Sequence, residues 1–482
     1  MIPEKLVGIC LHLARPFIGK KYRSSWPIEG TMEHLGKGES FYWSYKRFCQ
    51  PVEEPQPGAG IAERFAPLPV SAIAAEKVRF ARAADGAEVG GAAAPHGASR
   101  GEDTSAYSHF KAPVPASWQA QTWATVSCAG DILATNAVME ASCANHMFAD
   151  IASFYLDADL ACANLECPVV PSLPASGLPP RSWLEPLSLN LSAPLVQSWI
   201  AQGIDLVSTA NNHALDQGPE GLRANIQFLK ENNCAFVGTA STLESAANAP
   251  FCLTVLGDIK VAHIAWTFSL SNHPLPTGHE YLVNYLRLNQ AGVDLAPLCA
   301  QVDAARAAGA DIILAHLHWG AEFEAYPNVA LIDNAHRIIE AGVDVIIGNH
   351  PHHAQPWEWH PYVARDNTQR VGLILYALGD FLSYQRGLPT NLYASAVGRI
   401  KLAKGADAAG NVRAWVSGFA PLPLFQFAVY AGKQCRDVRM LDLARLAKHD
   451  FKCSLPGYGL HHKRRARKLW KLAKKLRLAP AV

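Results

Sequence analysis

The sequence predicts an α/β protein, a layered sandwich of helices and mixed sheets. Short apolar runs of strand length alternate with segments of helical period along most of the chain. One pair of runs, Ala249–Leu256 and Lys260–Trp266, is joined by Gly257-Asp258, a hairpin signal that makes at least one strand pair antiparallel. Polar residues gather where the runs end, and the carboxyl edge of an open α/β sheet is where ligands bind.

The elements follow in order. Ala124–Ala129 reads as a strand closing in Gly130-Asp131, Met147–Leu156 as a helix, and Leu160–Ala163 as a strand closing in Asn164-Leu165-Glu166. Ile204–Val207 is a third strand; it stops in the polar turn Asn211-Asn212-His213-Ala214-Leu215-Asp216 before a helix opens at Pro219. Leu222, Ile226 and Leu229 give that helix its apolar face, and Asn232-Asn233 ends it. After the hairpin come a helix over Gln301–Ala308, strand Asp311–Ala315, helix Val329–Ala341, and strands Val343–Ile347 and Gly372–Tyr376.

With 482 residues and 49% hydrophobic composition the chain can bury a large core. Residues 1–120 form an Ala/Gly/Pro-rich extension expected to be largely flexible, because Ala and Gly bury too little area to offset the entropy of ordering. Residues 121–445 form the main domain and 446–482 a basic amphipathic tail. The formal net charge of +2 is uneven: nine Lys and Arg lie within 463–477, leaving the rest of the chain at −7. A mildly acidic body offers no face to nucleic acid. Eleven cysteines without a CxxC pair indicate free thiols in a reducing cytosol. Met1-Ile2-Pro3-Glu4-Lys5 and the short apolar run after it do not form a secretory signal, and no run is long enough to span a membrane. The expected location is cytoplasmic or peripheral to the membrane.

The residues worth naming sit at strand ends: Asp131, Glu166, Asn211-Asn212-His213, His316 and His318, and Asn349-His350-Pro351-His352-His353. A lone Gly-Asp is ordinarily a turn, and a histidine pair on a loop is ordinarily a surface feature. Five successive strand ends carrying such groups point instead to one convergent site. Carboxylate and amide oxygens mixed with imidazole nitrogens suit Mn²⁺, Fe, Zn²⁺ or Mg²⁺. Two such ions bridged by a carboxylate would clamp an ester and lower the pKa of a water between them.

The wording of these motifs resembles the CapA family, bacterial poly-γ-glutamate capsule-synthesis proteins similar in fold to calcineurin-like metallophosphoesterases. The resemblance rests on Gly130-Asp131-Ile132-Leu133, Asn164-Leu165-Glu166-Cys167-Pro168, Ala210–Gly218, His318-Trp319-Gly320-Ala321-Glu322-Phe323, Gly348–His352 and Tyr376–Phe381, and covers roughly residues 123–400. It implies a layered α-β-β-α sandwich and one or two divalent ions. Asp131, Glu166, Asn212, His318, His350 and His352 match the family's ligand positions, with Glu166 as bridge. His213 matches the histidine that protonates a leaving group, with Asp216 placed to orient it. His316 shares a strand face with His318 and is a further candidate. Three departures stand out: Leu133 where related enzymes carry histidine, Asn349 and His353 where the family often has His and an apolar residue, and Asp380 where it commonly has Asn.

The implied function is metal-dependent hydrolysis of a phosphoester, or of an amide in an anionic capsule polymer. The rival is a non-catalytic component that binds polymer within a synthesis complex. In the tail, Ala466, Leu469, Leu472, Ala473 and Leu476 recur at helical spacing among basic residues, the pattern of a helix on an anionic membrane surface over 463–478; a solvated tail or a basic helix for nucleic acid is the competing reading, and an anionic capsule polymer a further partner.

Overall fold

Strand-forming runs from both halves of the chain assemble two sheets. The computed structural model describes residues 110–478 except 113, 116–117, 142–145, 179–187, 272, 385–389, 449–454 and 456. Most of the amino-terminal extension therefore lies outside the described residues. The strands are β1 Phe110–Lys111, β2 Gln119–Ile132, β3 Leu160–Leu165, β4 Leu206–Ser208, β5 Ala235–Val237, β6 Cys252–Leu256, β7 Ile259–Thr267 and β8 Ile312–His318. They continue with β9 Val345–Asn349, β10 Trp357–Val363, β11 Gln369–Leu375, β12 Asp380–Leu382, β13 Ser395–Ala406, β14 Val412–Ala431 and β15 Gln434–Asp442. The helices are α1 Asn136–Glu140, α2 Ala152–Tyr155, α3 Ala193–Gln202, α4 Gly218–Glu231, α5 Leu243–Asn248, α6 Ala296–Ala307, α7 Val329–Glu340, α8 Leu443–Ala447 and α9 Leu460–Lys475.

The first sheet runs β1-β14-β13-β2-β3-β4-β5, with β12 beside the end of β2 and β15 beside β14; the second runs β10-β11-β9-β8-β7-β6. Strands β2 to β5 are mutually parallel, as are β7, β8, β9 and β11, and the predicted hairpin is present as β6-β7. Strand alternation sorts the packing. Ile312 and Leu314 of β8 join Val345, Leu373, Val126 and Leu206 in a core between the sheets. Ile313, Ala315 and Leu317 point the other way, onto Leu298 and Val302 of α6 and Leu331 and Ile338 of α7. Because β2 touches β7 and β9 directly, the crossover helices lie outside the sheets, giving the α-β-β-α sandwich.

Several expectations need correction. The helix expected over Met147–Leu156 is regular only at Ala152–Tyr155, since this short segment lacks a side-chain cap and its first part forms turns. The domain begins before residue 121, because β1 pairs with β14 and β2 starts at Gln119. The tail is not apart from the domain either. Ala466, Leu469, Ala473 and Leu476 of α9 are buried in the main core, so the stripe expected to face lipid faces the protein. The Arg465 guanidinium lies 3.6 Å from the Tyr393 ring centroid, and the Trp357 indole donates to the Arg477 carbonyl at 2.9 Å. Among the described residues no helix is long and apolar enough to cross a membrane.

Candidate metal centre

The named polar residues end parallel strands of both sheets. Asp131 lies at the end of β2, Glu166 just beyond β3 and Asn212 beyond β4; His318 closes β8, and His350 and His352 follow β9. Their side chains are all buried. Two glycines let a crossing segment pass beneath them. A Cβ on Gly130 would sit 1.7 Å from the Gly379 carbonyl oxygen, and one on Gly348 would sit 1.9 Å from that of Tyr376. His350 and His352 take φ of 96° and 52°, a region costly for residues with a side chain. At His350 that conformation aims the backbone N–H at Asp131 Oδ2, 3.1 Å away.

Six expected ligand residues converge, in two groups that share Glu166. Asp131, Glu166 and His352 form one and Glu166, His318 and His350 the other, with donor atoms in each within 4.8 Å of one another. Asn212 joins the second group: His318 Nε2 lies 2.9 Å from Asn212 Oδ1, 3.1 Å from His350 Nδ1 and 3.4 Å from Glu166 Oε1. One ring nitrogen carries at most one proton, so it cannot fully satisfy both the Asn212 and the Glu166 oxygen. Both Glu166 oxygens are buried without a hydrogen bond. A cation between these atoms would answer the mismatch, and the mixed oxygen and nitrogen set fits a divalent ion.

The electrostatics agree with this. Burial first, then the nearby Asp131 charge, pushes the Glu166 carboxyl well above its ordinary range, and burial lifts Asp131 to about 6. Burial, helped by His350 and His352, holds His318 well below the ordinary histidine value, leaving it neutral with a lone pair to give. Burial also opposes charge on His352, but Glu166, Asp380 and Asp131 together outweigh it and raise that imidazole.

Beside the centre, His213 Nδ1 lies 2.9 Å from Asp216 Oδ2, and the same oxygen accepts from the Leu189 N–H at 2.8 Å. Asp216 thus contacts both the imidazole and the Leu189 backbone. His316 does share a face with His318, but it sits one repeat deeper and meets His263 at 3.2 Å, so it does not join the centre. Leu133 is buried in the apolar core and offers no ligand. Cys167 accepts from the Ala134 N–H instead of turning to the donor groups.

Two residues emerge that strand-end motifs did not single out as parts of the centre. Asn164 donates to Asp131 Oδ1 at 2.7 Å and lies 3.2 Å from His318 Nδ1. Its place inside the Asn-Leu-Glu motif was the available signal. Asp380 lies 2.8 Å from His352 Nδ1, brought there because β12 pairs with the end of β2 and sets Asp380 opposite Asp131.

A capsule biosynthesis protein CapA of Bacillus anthracis is 26% identical over 180 residues, covering 37% of this chain and 40% of that one. The PGA biosynthesis protein CapA of Bacillus subtilis is 26% identical over 186 residues, covering 37% of this chain and 42% of its own length. A probable polyglutamine synthesis accessory protein of Mycobacterium tuberculosis is 28% identical over 183 residues, covering 37% and 45%. The matched stretch is thus less than half the length of each of these relatives. Among solved structures, the NAD nucleotidase of Haemophilus influenzae superposes with a TM-score of 0.35 at 11% identity, over 74% of this chain and 60% of that one. The family described as bacterial capsule synthesis protein PGA_cap matches residues 125–385, more than half of the chain and every strand end that feeds the centre. The chain belongs to the PGA_cap family of bacterial capsule synthesis proteins.

Proposed function

We propose that the protein is a metal-dependent hydrolase acting in capsule polymer synthesis, cleaving a phosphoester or an amide of an anionic polymer such as poly-γ-glutamate. The observation that carries this is Glu166, buried without a hydrogen bond and common to two donor groups. Asp131, Glu166 and His352 would hold one divalent ion, and Glu166, Asn212, His318 and His350 a second. Bound there, Mn²⁺, Fe, Zn²⁺ or Mg²⁺ would supply Lewis acidity toward the substrate oxygen and lower the pKa of water. The chain's own contribution is orientation and a proton. Asp216 holds the His213 ring through Nδ1, and the ring in its protonated form would give a proton to the departing oxygen or nitrogen.

The test combines metal analysis of the purified protein with turnover of an aryl phosphate and of poly-γ-glutamate. Asp131→Ala should lose metal and activity together. His213→Ala should keep its metal and lose about 10²-fold or more in kcat, most severely for poor leaving groups. Retained metal with no metal-dependent turnover on either substrate would overturn hydrolysis. It would favour a polymer-binding component, in keeping with the mycobacterial relative, a probable polyglutamine synthesis accessory protein.

A further inference from the structure

Asp380 is buried, yet neither donor group contains it. Its position is fixed from two sides. The backbone lies in β12, parallel to β2 with Asp380 opposite Asp131, and its carbonyl accepts from Gln426 Nε2 at 2.9 Å. The carboxylate meets His352 Nδ1 at 2.8 Å, closer than Asp131 Oδ2 at 3.5 Å. Nε2 of the same ring lies 3.7 Å from Glu166 Oε1. A histidine that donates one ring N–H to a carboxylate keeps its other nitrogen as a lone-pair donor, with the ring orientation set by that bond.

We infer that Asp380 is the positioning residue of the Asp131–Glu166–His352 group. It binds the Nδ1 proton of His352 and so presents Nε2 to a divalent cation, making this group the tighter for it. The inference rests on the metal-centre reading above and names a function for a residue outside the ligand set. It also gives the carboxylate at this position a role that an amide would fill less well. An Asn oxygen could accept the same proton but would bring no charge to raise the basicity of the ring.

The experiment is a double-mutant cycle on Mn²⁺ affinity, measured by titration calorimetry on the full-length, metal-stripped protein. Asp380→Ala should weaken one class of Mn²⁺ site by about 10- to 100-fold, and Asp380→Asn by less. In a His350→Ala background, where the Asp131–Glu166–His352 group is left intact, the loss should persist. In a His352→Ala background Asp380→Ala should cost nothing further. An equal loss with and without His352, or unchanged affinity in both Asp380 variants, overturns the inference while leaving the metal centre standing. Wild-type protein that binds no Mn²⁺ overturns both. Asp380→Asn, nearly isosteric, keeps the test readable should the alanine variant fail to fold.

Discussion

Glu166 and His263 show how differently two buried ionisable groups can be handled. Both Glu166 oxygens are buried without a hydrogen bond, and a cation bound there would compensate them. His263 is satisfied by other means. Its Nε2 meets Thr254 Oγ1 at 3.1 Å and its Nδ1 meets His316 Nε2 at 3.2 Å, between the sheets. Burial, then the neighbouring His316, drives the His263 pKa well below 6.5, and burial alone brings His316 to about 4. Both rings are neutral in the fold and free to take a proton when unfolded, so the unfolded chain binds more protons and stability rises with pH. That contribution is complete above pH 6.5 and drains away toward pH 4 and below; for His316 it is on the order of 3 kcal/mol. Urea melts between pH 7 and pH 4 should therefore show a falling stability that His263→Gln makes shallower. An unchanged pH slope in that variant would mean that other groups govern acid lability.

At the level of elements, the glycines before the ligand-bearing turns are as informative as the ligands. The chain leaves β11 in the second sheet, passes through Tyr376–Gly379 and enters β12 in the first. On the way the Leu378 N–H donates to Gly348 and the Gly379 carbonyl accepts from the Asp131 N–H. Gly348→Ala would drive a Cβ into the Tyr376 carbonyl, so urea denaturation should register a loss of about 3 kcal/mol or more. The same variant should lose most of the thermal stabilisation that Mn²⁺ gives the parent. How much of this was legible in advance depends on range. The parallel strands, the hairpin and the ligand-bearing turns were readable because each declares itself within a few residues. Helix α3, the short β5 and the long strands β13 to β15 were not, being defined by partners far along the chain. Asp380 was visible only as a departure from the family, because its meaning comes from β12 pairing with β2.

For the molecule as a whole, the last helix has two faces with different duties. Its apolar stripe is consumed in the core, whereas Arg464, Lys468, Lys471 and Lys475 recur every three or four residues along an exposed face. With no acidic residue after Asp450, that face is suited to electrostatic attachment alone. The protein should pellet with anionic vesicles at low salt, not with neutral ones, and be released as salt rises. Reversing those four charges to Glu should abolish pelleting without lowering the melting temperature, and pelleting that survives the reversal would discard this reading of the tail. The crossing at Tyr376–Asp380 carries a last consequence for descent. Each half of the polypeptide supplies only part of each donor group, and the crossing ties the sheet that carries Asp131 and Glu166 to the one that carries His318 and His350. A gene fragment encoding one half would carry neither donor group whole, so recombination inside the domain would break both.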